Sequence, residues 1–173
     1  MITLVYGGSA SGKSEYAEGL LANFRGPKYY LATMEPFGEE GARRVARHRA
    51  LRAGKGFETL EKYTGLAELK LPGSGCLLLE CLGNLAANEL FSPSGAKKKA
   101  AQEIARGLRS LAAQCSELVI VSNDVFSDGR VYDPETERYL ALLAQANAEA
   151  AALAGRVIEV VCGIPIAVKG ELP

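Results

Sequence analysis

Ile2-Thr3-Leu4-Val5-Tyr6-Gly7-Gly8-Ser9-Ala10-Ser11-Gly12-Lys13-Ser14 begins as a short β-branched and apolar run and breaks at a pair of glycines. Beyond it, Tyr16, Ala17, Leu20, Leu21 and Phe24 recur at helical spacing. Strand, glycine-rich loop and helix follow in the order a phosphate-binding loop requires, and Gly7, Gly12, Lys13 and Ser14 supply GxxxxGK[ST] in full. Backbone N–H groups of Gly8, Ser9, Ala10 and Ser11 can curl around a phosphate, and the helix that begins near Gly12 adds its partial positive charge. Lys13 then reaches the β/γ-phosphates and the Ser14 hydroxyl ligates Mg²⁺.

Outward from the loop, strand and helix patterns alternate. Tyr29 to Met34 reads as a strand, Glu39 to Arg52 as a charged helix, and Phe57 to Leu60 as a short strand. Cys76 to Leu79 and Leu118 to Val121 are apolar throughout, as parallel strands covered on both faces are. Helices are expected through Leu82, Leu85, Ala86 and Leu90, from about Gly95 to Gln114, and over Glu135 to Leu153 behind Pro134. Val157 to Val161 is read as the last strand. The pattern predicts an α/β fold of P-loop NTPase type, with a mainly parallel central sheet and helices on both faces. No linker divides residues 1–173, so one domain is expected.

Lys+Arg and Asp+Glu balance at 20 each. No global positive field exists to hold nucleic acid or an anionic membrane, and any basic site is local. The four cysteines show no metal-ligand spacing, and Cys76, Cys81 and Cys162 lie within or beside apolar runs, where they are read as reduced packing residues. No apolar stretch approaches the ~20 residues of a membrane span. A cytoplasmic location follows as the expectation.

A P-loop calls for a carboxylate at the end of a neighbouring buried strand to hold Mg²⁺. Glu80, after Leu77-Leu78-Leu79, is the preferred candidate, and Asp124, after Val119-Ile120-Val121, is its rival. His48 is the single histidine. Arg44, His48 and Arg52 stand four apart and share a helical face. Their positive charge favours a neutral, nucleophilic imidazole beside groups that gather phosphates, a constellation suited to attack on an α-phosphorus. By composition alone, a solvated surface histidine is the stronger reading.

Further elements occur in a recognisable order: Ala32-Thr33, Arg44-Val45-Ala46-Arg47-His48-Arg49 with Arg52, Thr59-x-Glu61, Glu80-Cys81-Leu82 with Asn88, Ser122-Asn123-Asp124-Val125, and Gly163-Ile164-Pro165 with Lys169. Together with the loop, this series resembles the bifunctional adenosylcobinamide kinase/adenosylcobinamide-phosphate guanylyltransferases of cobalamin biosynthesis over nearly the whole chain. The resemblance implies a homotrimeric enzyme that phosphorylates the aminopropanol hydroxyl of adenosylcobinamide with ATP or GTP. It then transfers GMP from GTP through a guanylyl-histidine on His48. Nucleotide contacts carried over are the P-loop, Ala32, Thr33, Met34, Arg49, Ala50, Leu51, Arg52, Glu61 and Glu80.

The chain departs from the family's pattern at Phe126-Ser127-Asp128-Gly129, at Arg138-Tyr139 and at Asn147-Ala148. That region is expected to bear on the corrinoid or a phosphate. Two other readings use the same loop: a small-molecule kinase with His48 incidental, and a nucleotide-binding protein without group transfer.

Overall fold

A computed structural model describes residues 1–36, 43, 54–126 and 128–173. Its strands are β1 (Ile2–Gly7), β2 (Lys28–Ala32), β3 (Phe57–Glu61), β4 (Cys76–Leu79), β5 (Glu117–Asn123), β6 (Arg156–Val161) and β7 (Ile164–Lys169). Its helices, among the described residues and leaving aside 3₁₀ turns, are α1 (Lys13–Leu20), α2 (Leu82–Phe91), α3 (Ala100–Gln114) and α4 (Pro134–Leu153). The strands form one sheet in the order β3-β2-β4-β5-β1-β6-β7. Every neighbouring pair is parallel except β6 and β7. The fold is therefore the expected α/β type, and all parallel strands deliver their carboxyl ends to one edge, where ligands of such sheets collect.

Alternation along each strand divides the core in two. Leu4, Leu77, Leu79, Leu118 and Ile120 face one side and pack on Leu82 and Leu85 of α2, Ile104 and Leu108 of α3, and Leu143 and Ala150 of α4. Val5, Tyr30, Leu78, Val119 and Val121 face the other, where Ala17 of α1 and Leu21 just after it are buried. Strands β4 and β5 are central and covered on both sides, which is why they read as unbroken apolar runs.

Boundaries differ from the sequence reading in instructive places. β2 stops at Ala32, because Thr33 turns its N–H to the Glu80 carboxylate and Met34 lies beyond the ladder. The helix expected from Gly95 begins at Ala100, and Lys97–Lys99 form a 3₁₀ turn ahead of it. β5 runs on to Asn123, so Ser122 and Asn123 are strand residues. Val157–Val161 is not the last strand: β7 folds back antiparallel across the turn Cys162–Gly163. Its residues Ile164, Ile166 and Val168 are exposed on an edge, so no buried alternation marked them as strand. Cys162, read as a packing residue, is exposed at that turn.

Candidate active site

The loop leaves β1 at Gly7 and enters α1 at Lys13, with Gly12 at φ 92° capping the helix. That left-handed conformation and the Gly163 Cα, 3.3 Å from where a Gly12 side chain would begin, leave glycine as the residue that fits. A side chain at Gly7 would overlap the Val160 carbonyl and stand 2.8 Å from Ser11 Oγ. The loop is thus pressed against the β6–β7 hairpin, and the Gly163 N–H donates to the Ser11 carbonyl at 2.8 Å. Among the described residues, Ser11 Oγ is the buried side-chain polar atom without a hydrogen-bond partner. An orphan of this kind fits a loop that receives a polar ligand or water.

Lys13 lies over the loop and donates from Nζ to the Gly8 carbonyl at 3.0 Å. Its side chain is buried, and that desolvation pushes its pKa below the usual lysine value, with the nearby Cys81 acting weakly in the opposite direction. Ser14, in the first turn of α1, is exposed at the mouth.

Across from the loop, β4 ends at Leu79 and hands Glu80 to the sheet edge, 8% exposed. Its Oε2 accepts from the Thr33 N–H at 3.3 Å. The Thr33 hydroxyl donates to the Cys81 carbonyl at 2.8 Å, and Asn88 Nδ2 donates to the carbonyls of Thr33 at 2.8 Å and Tyr63 at 3.1 Å. Thr33, Glu80 and Asn88 form one buried network that fixes the carboxylate relative to β2. Ala32 pairs with Glu61 at the ends of β2 and β3, and the Tyr63 hydroxyl donates to Glu61 Oε2 at 3.1 Å. Met34 lines a hollow with Asn84, Asn88 and Phe91. His48, Arg49, Ala50, Leu51 and Arg52 lie outside the described residues.

Asp124 follows β5 and its N–H donates to the Gly7 carbonyl at 3.0 Å, so it stands beside the loop. Both carboxylates named from the sequence therefore reach the loop's edge of the sheet, one beyond each of two adjacent strands. The hard oxygens of Glu80, with the Ser14 hydroxyl, are the donor chemistry that Mg²⁺ takes when phosphates and water supply the remaining ligands. The thiols are not suited to it, and no cluster of three or more His, Cys, Asp and Glu able to hold a metal occurs among the described residues.

Three residues near the site have roles that the sequence reading did not assign. Cys81 caps α2, its Sγ accepting from the Asn84 N–H at 3.4 Å and the Asn123 side chain at 3.5 Å. Cysteine is not among the residues that signal a helix start, so its capping role went unmarked. Tyr139 reaches in from α4, with its hydroxyl 3.1 Å from where a Gly83 side chain would begin. Tyr6 lies one residue before the loop; burial first, and then Glu159, push its hydroxyl pKa up.

Sheet order, loop and strand-end carboxylates define a P-loop α/β protein of the nucleotide-binding class. The chain belongs to the cobinamide kinase / cobinamide phosphate guanyltransferase family, whose model matches residues 3–168. The bifunctional adenosylcobalamin biosynthesis protein CobU of Escherichia coli K12 is 32% identical over 184 residues, covering 98% of this chain and 100% of that protein. Its counterpart CobP of Pseudomonas aeruginosa is 30% identical over 174 residues, 99% of each chain. CobU of Salmonella typhimurium is 30% identical over 185 residues, with 98% and 100% covered. No helix among the described residues is long and apolar enough to cross a membrane.

Proposed function

We propose that this chain phosphorylates adenosylcobinamide and then converts the product to adenosylcobinamide-GDP with GMP drawn from GTP. The observation that carries the reading is an intact GxxxxGK[ST] loop between β1 and α1 in a chain that matches the kinase/guanyltransferase family over residues 3–168. Both reactions need a nucleoside triphosphate and charge neutralisation, so one loop serves both; the attacked phosphorus and the nucleophile differ.

In the kinase step the cobinamide hydroxyl attacks the γ-phosphorus of ATP or GTP, and the nucleoside diphosphate leaves. Lys13 exchanges its bond to the Gly8 carbonyl for the phosphate oxygens, and the loop N–H groups from Gly8 to Ser14 hold the chain of phosphates in line. Mg²⁺, held by the Ser14 hydroxyl and the Glu80 carboxylate, would neutralise charge on the phosphates. Thr33 and Asn88 keep Glu80 in place, and Ala32, Met34, Glu61 and Arg49 to Arg52 complete the nucleotide contacts.

In the transferase step a His48 ring nitrogen attacks the α-phosphorus of GTP and pyrophosphate leaves. A phosphate oxygen of adenosylcobinamide phosphate then takes the GMP and frees the histidine. Residues 1–173 act as one domain, the enzyme is cytoplasmic, and it assembles as a homotrimer. The trimer rests on the resemblance, and the single domain and location on the sequence pattern as well.

The test is a two-stage assay. Purified protein with Mg²⁺, ATP and adenosylcobinamide yields the monophosphate by mass spectrometry, and later addition of GTP yields the GDP adduct. Formation of the monophosphate alone contradicts the transferase half, and nucleotide binding with neither product contradicts the whole reading.

A further inference from the structure

A cavity of about 310 Å³ lies between the sheet and α4. Leu4, Ala151, Val157 and Val168 wall it, and Tyr6, Asn123 and Asp124 stand around its polar end. That end adjoins the phosphate loop directly. Tyr6 precedes Gly7, Asn123 pairs with Gly7 across β1 and β5, and Asp124 donates its N–H to the Gly7 carbonyl. The register shift between Val157 and Ile158 makes Val168 the extra residue of a bulge, a device that re-aims a side chain beside a site.

The lining contains no cation and one carboxylate, so it repels a phosphate group and suits a neutral molecule. Its volume is at the small end for ligand pockets, enough for an alkyl arm and too little for a macrocycle. Two larger hollows lie elsewhere, one lined by Lys97, Lys98 and Arg138 and one by Met34, Asn84 and Phe91, and neither includes a residue of the loop.

We propose that this cavity is the subsite for the hydroxyl-bearing arm of the acceptor alcohol, and that Asp124 accepts the hydroxyl's proton during phosphoryl transfer. The proposal rests on the kinase reading above. The alcohol oxygen forms a bond to the γ-phosphorus, the bond from that phosphorus to the β-bridging oxygen breaks, and the nucleoside diphosphate leaves with that electron pair. The proton passes from the alcohol to the Asp124 carboxylate and from there to water. The Asp124 backbone is tied to Gly7, and Oδ1 accepts from the Phe126 N–H at 3.2 Å, which holds the side chain at the cavity's polar end. Ser122 Oγ donates to Asn147 Oδ1 at 2.5 Å, which locks α4 against β5 and sets the cavity's width.

Ala148 lines the cavity from an exposed position on α4, so a larger side chain there fills the space without disturbing the core. In Ala148→Phe the KM for adenosylcobinamide rises about tenfold or more while kcat and the KM for ATP change less than about twofold, the pattern of lost uniform binding. Asp124→Asn lowers kinase kcat by roughly 10²–10⁴ with the acceptor KM little altered, and Asp124→Glu recovers most of that loss. Val168→Trp, at an exposed edge, gives a second occlusion with the same effect on KM. Unchanged acceptor KM in both occluding variants overturns the subsite, and full kcat in Asp124→Asn overturns the proton acceptor. A wild-type protein that neither phosphorylates adenosylcobinamide nor takes label from α-labelled GTP overturns the parent reading, and the subsite with it.

Discussion

At Lys13, burial and charge oppose each other. It is buried against the Gly8 carbonyl, and desolvation lowers its pKa. The charged form therefore costs stability at neutral pH, and that cost is relieved as pH rises through the lowered folded pKa toward the unfolded value. A bound triphosphate reverses the shift. Calorimetry of nucleotide binding in alkaline buffers of different ionisation enthalpy is expected to show proton uptake in the wild type. Lys13→Arg, whose guanidinium stays charged, is expected to show none at this position. The lysine itself was fully legible, because the motif fixes its spacing. The charge influence of Cys81 on it, and the part of Asn88 in tying Thr33 to Tyr63, were not; the Asn88 bonds join residues 25 and 55 positions apart.

At the scale of elements, the loop's shape depends on the hairpin behind it. Gly163 has φ 81° and donates to the Ser11 carbonyl, with open space where a side chain would begin. Backbone conformation alone therefore limits the position. Gly163→Val costs about 1–2 kcal/mol, which lowers Tm by roughly 2–8 °C in a chain of this size, and it weakens nucleotide binding as the loop loses its support. Gly163→Asn, which tolerates the left-handed region, stays near wild type on both thermal melting and nucleotide titration. Equal damage from both variants would place the requirement in space and not in φ. Gly163 stood out in the sequence, yet β7 did not: an edge strand with Pro165 and three exposed apolar residues lacks the period that betrays buried strands. Central strands β4 and β5 were legible for the opposite reason, being apolar on both faces.

At the scale of the whole molecule, a parallel sheet gathers residues from distant parts of the sequence at one edge. Gly7, Thr33, Glu80 and Asp124 come together because β1, β2, β4 and β5 all end there. Strand-end logic found both carboxylates, whereas the cavity beneath α4 depended on a bulge and a helix position that no local pattern encodes. Burial also sorts the thiols. It pushes Cys76 and Cys115 up to about 11 and raises Cys81, while Cys162 is exposed. Iodoacetamide at neutral pH is therefore expected to modify Cys162 first in the native protein, and the other three only after unfolding, as peptide mapping will read directly. Rapid native alkylation of Cys76 would contradict the packing described.

We propose that one P-loop serves both phosphoryl and guanylyl transfer, with His48 as the covalent carrier. The direct test is incubation with Mg²⁺ and GTP labelled at the α-phosphate, without acceptor, in wild type, Lys13→Ala and His48→Ala. Acid-labile, alkali-stable label is expected on the wild type, little on Lys13→Ala, and none on His48→Ala even though it still binds GTP. Wild-type protein that binds GTP and remains unlabelled, or His48→Ala that labels normally, would contradict it.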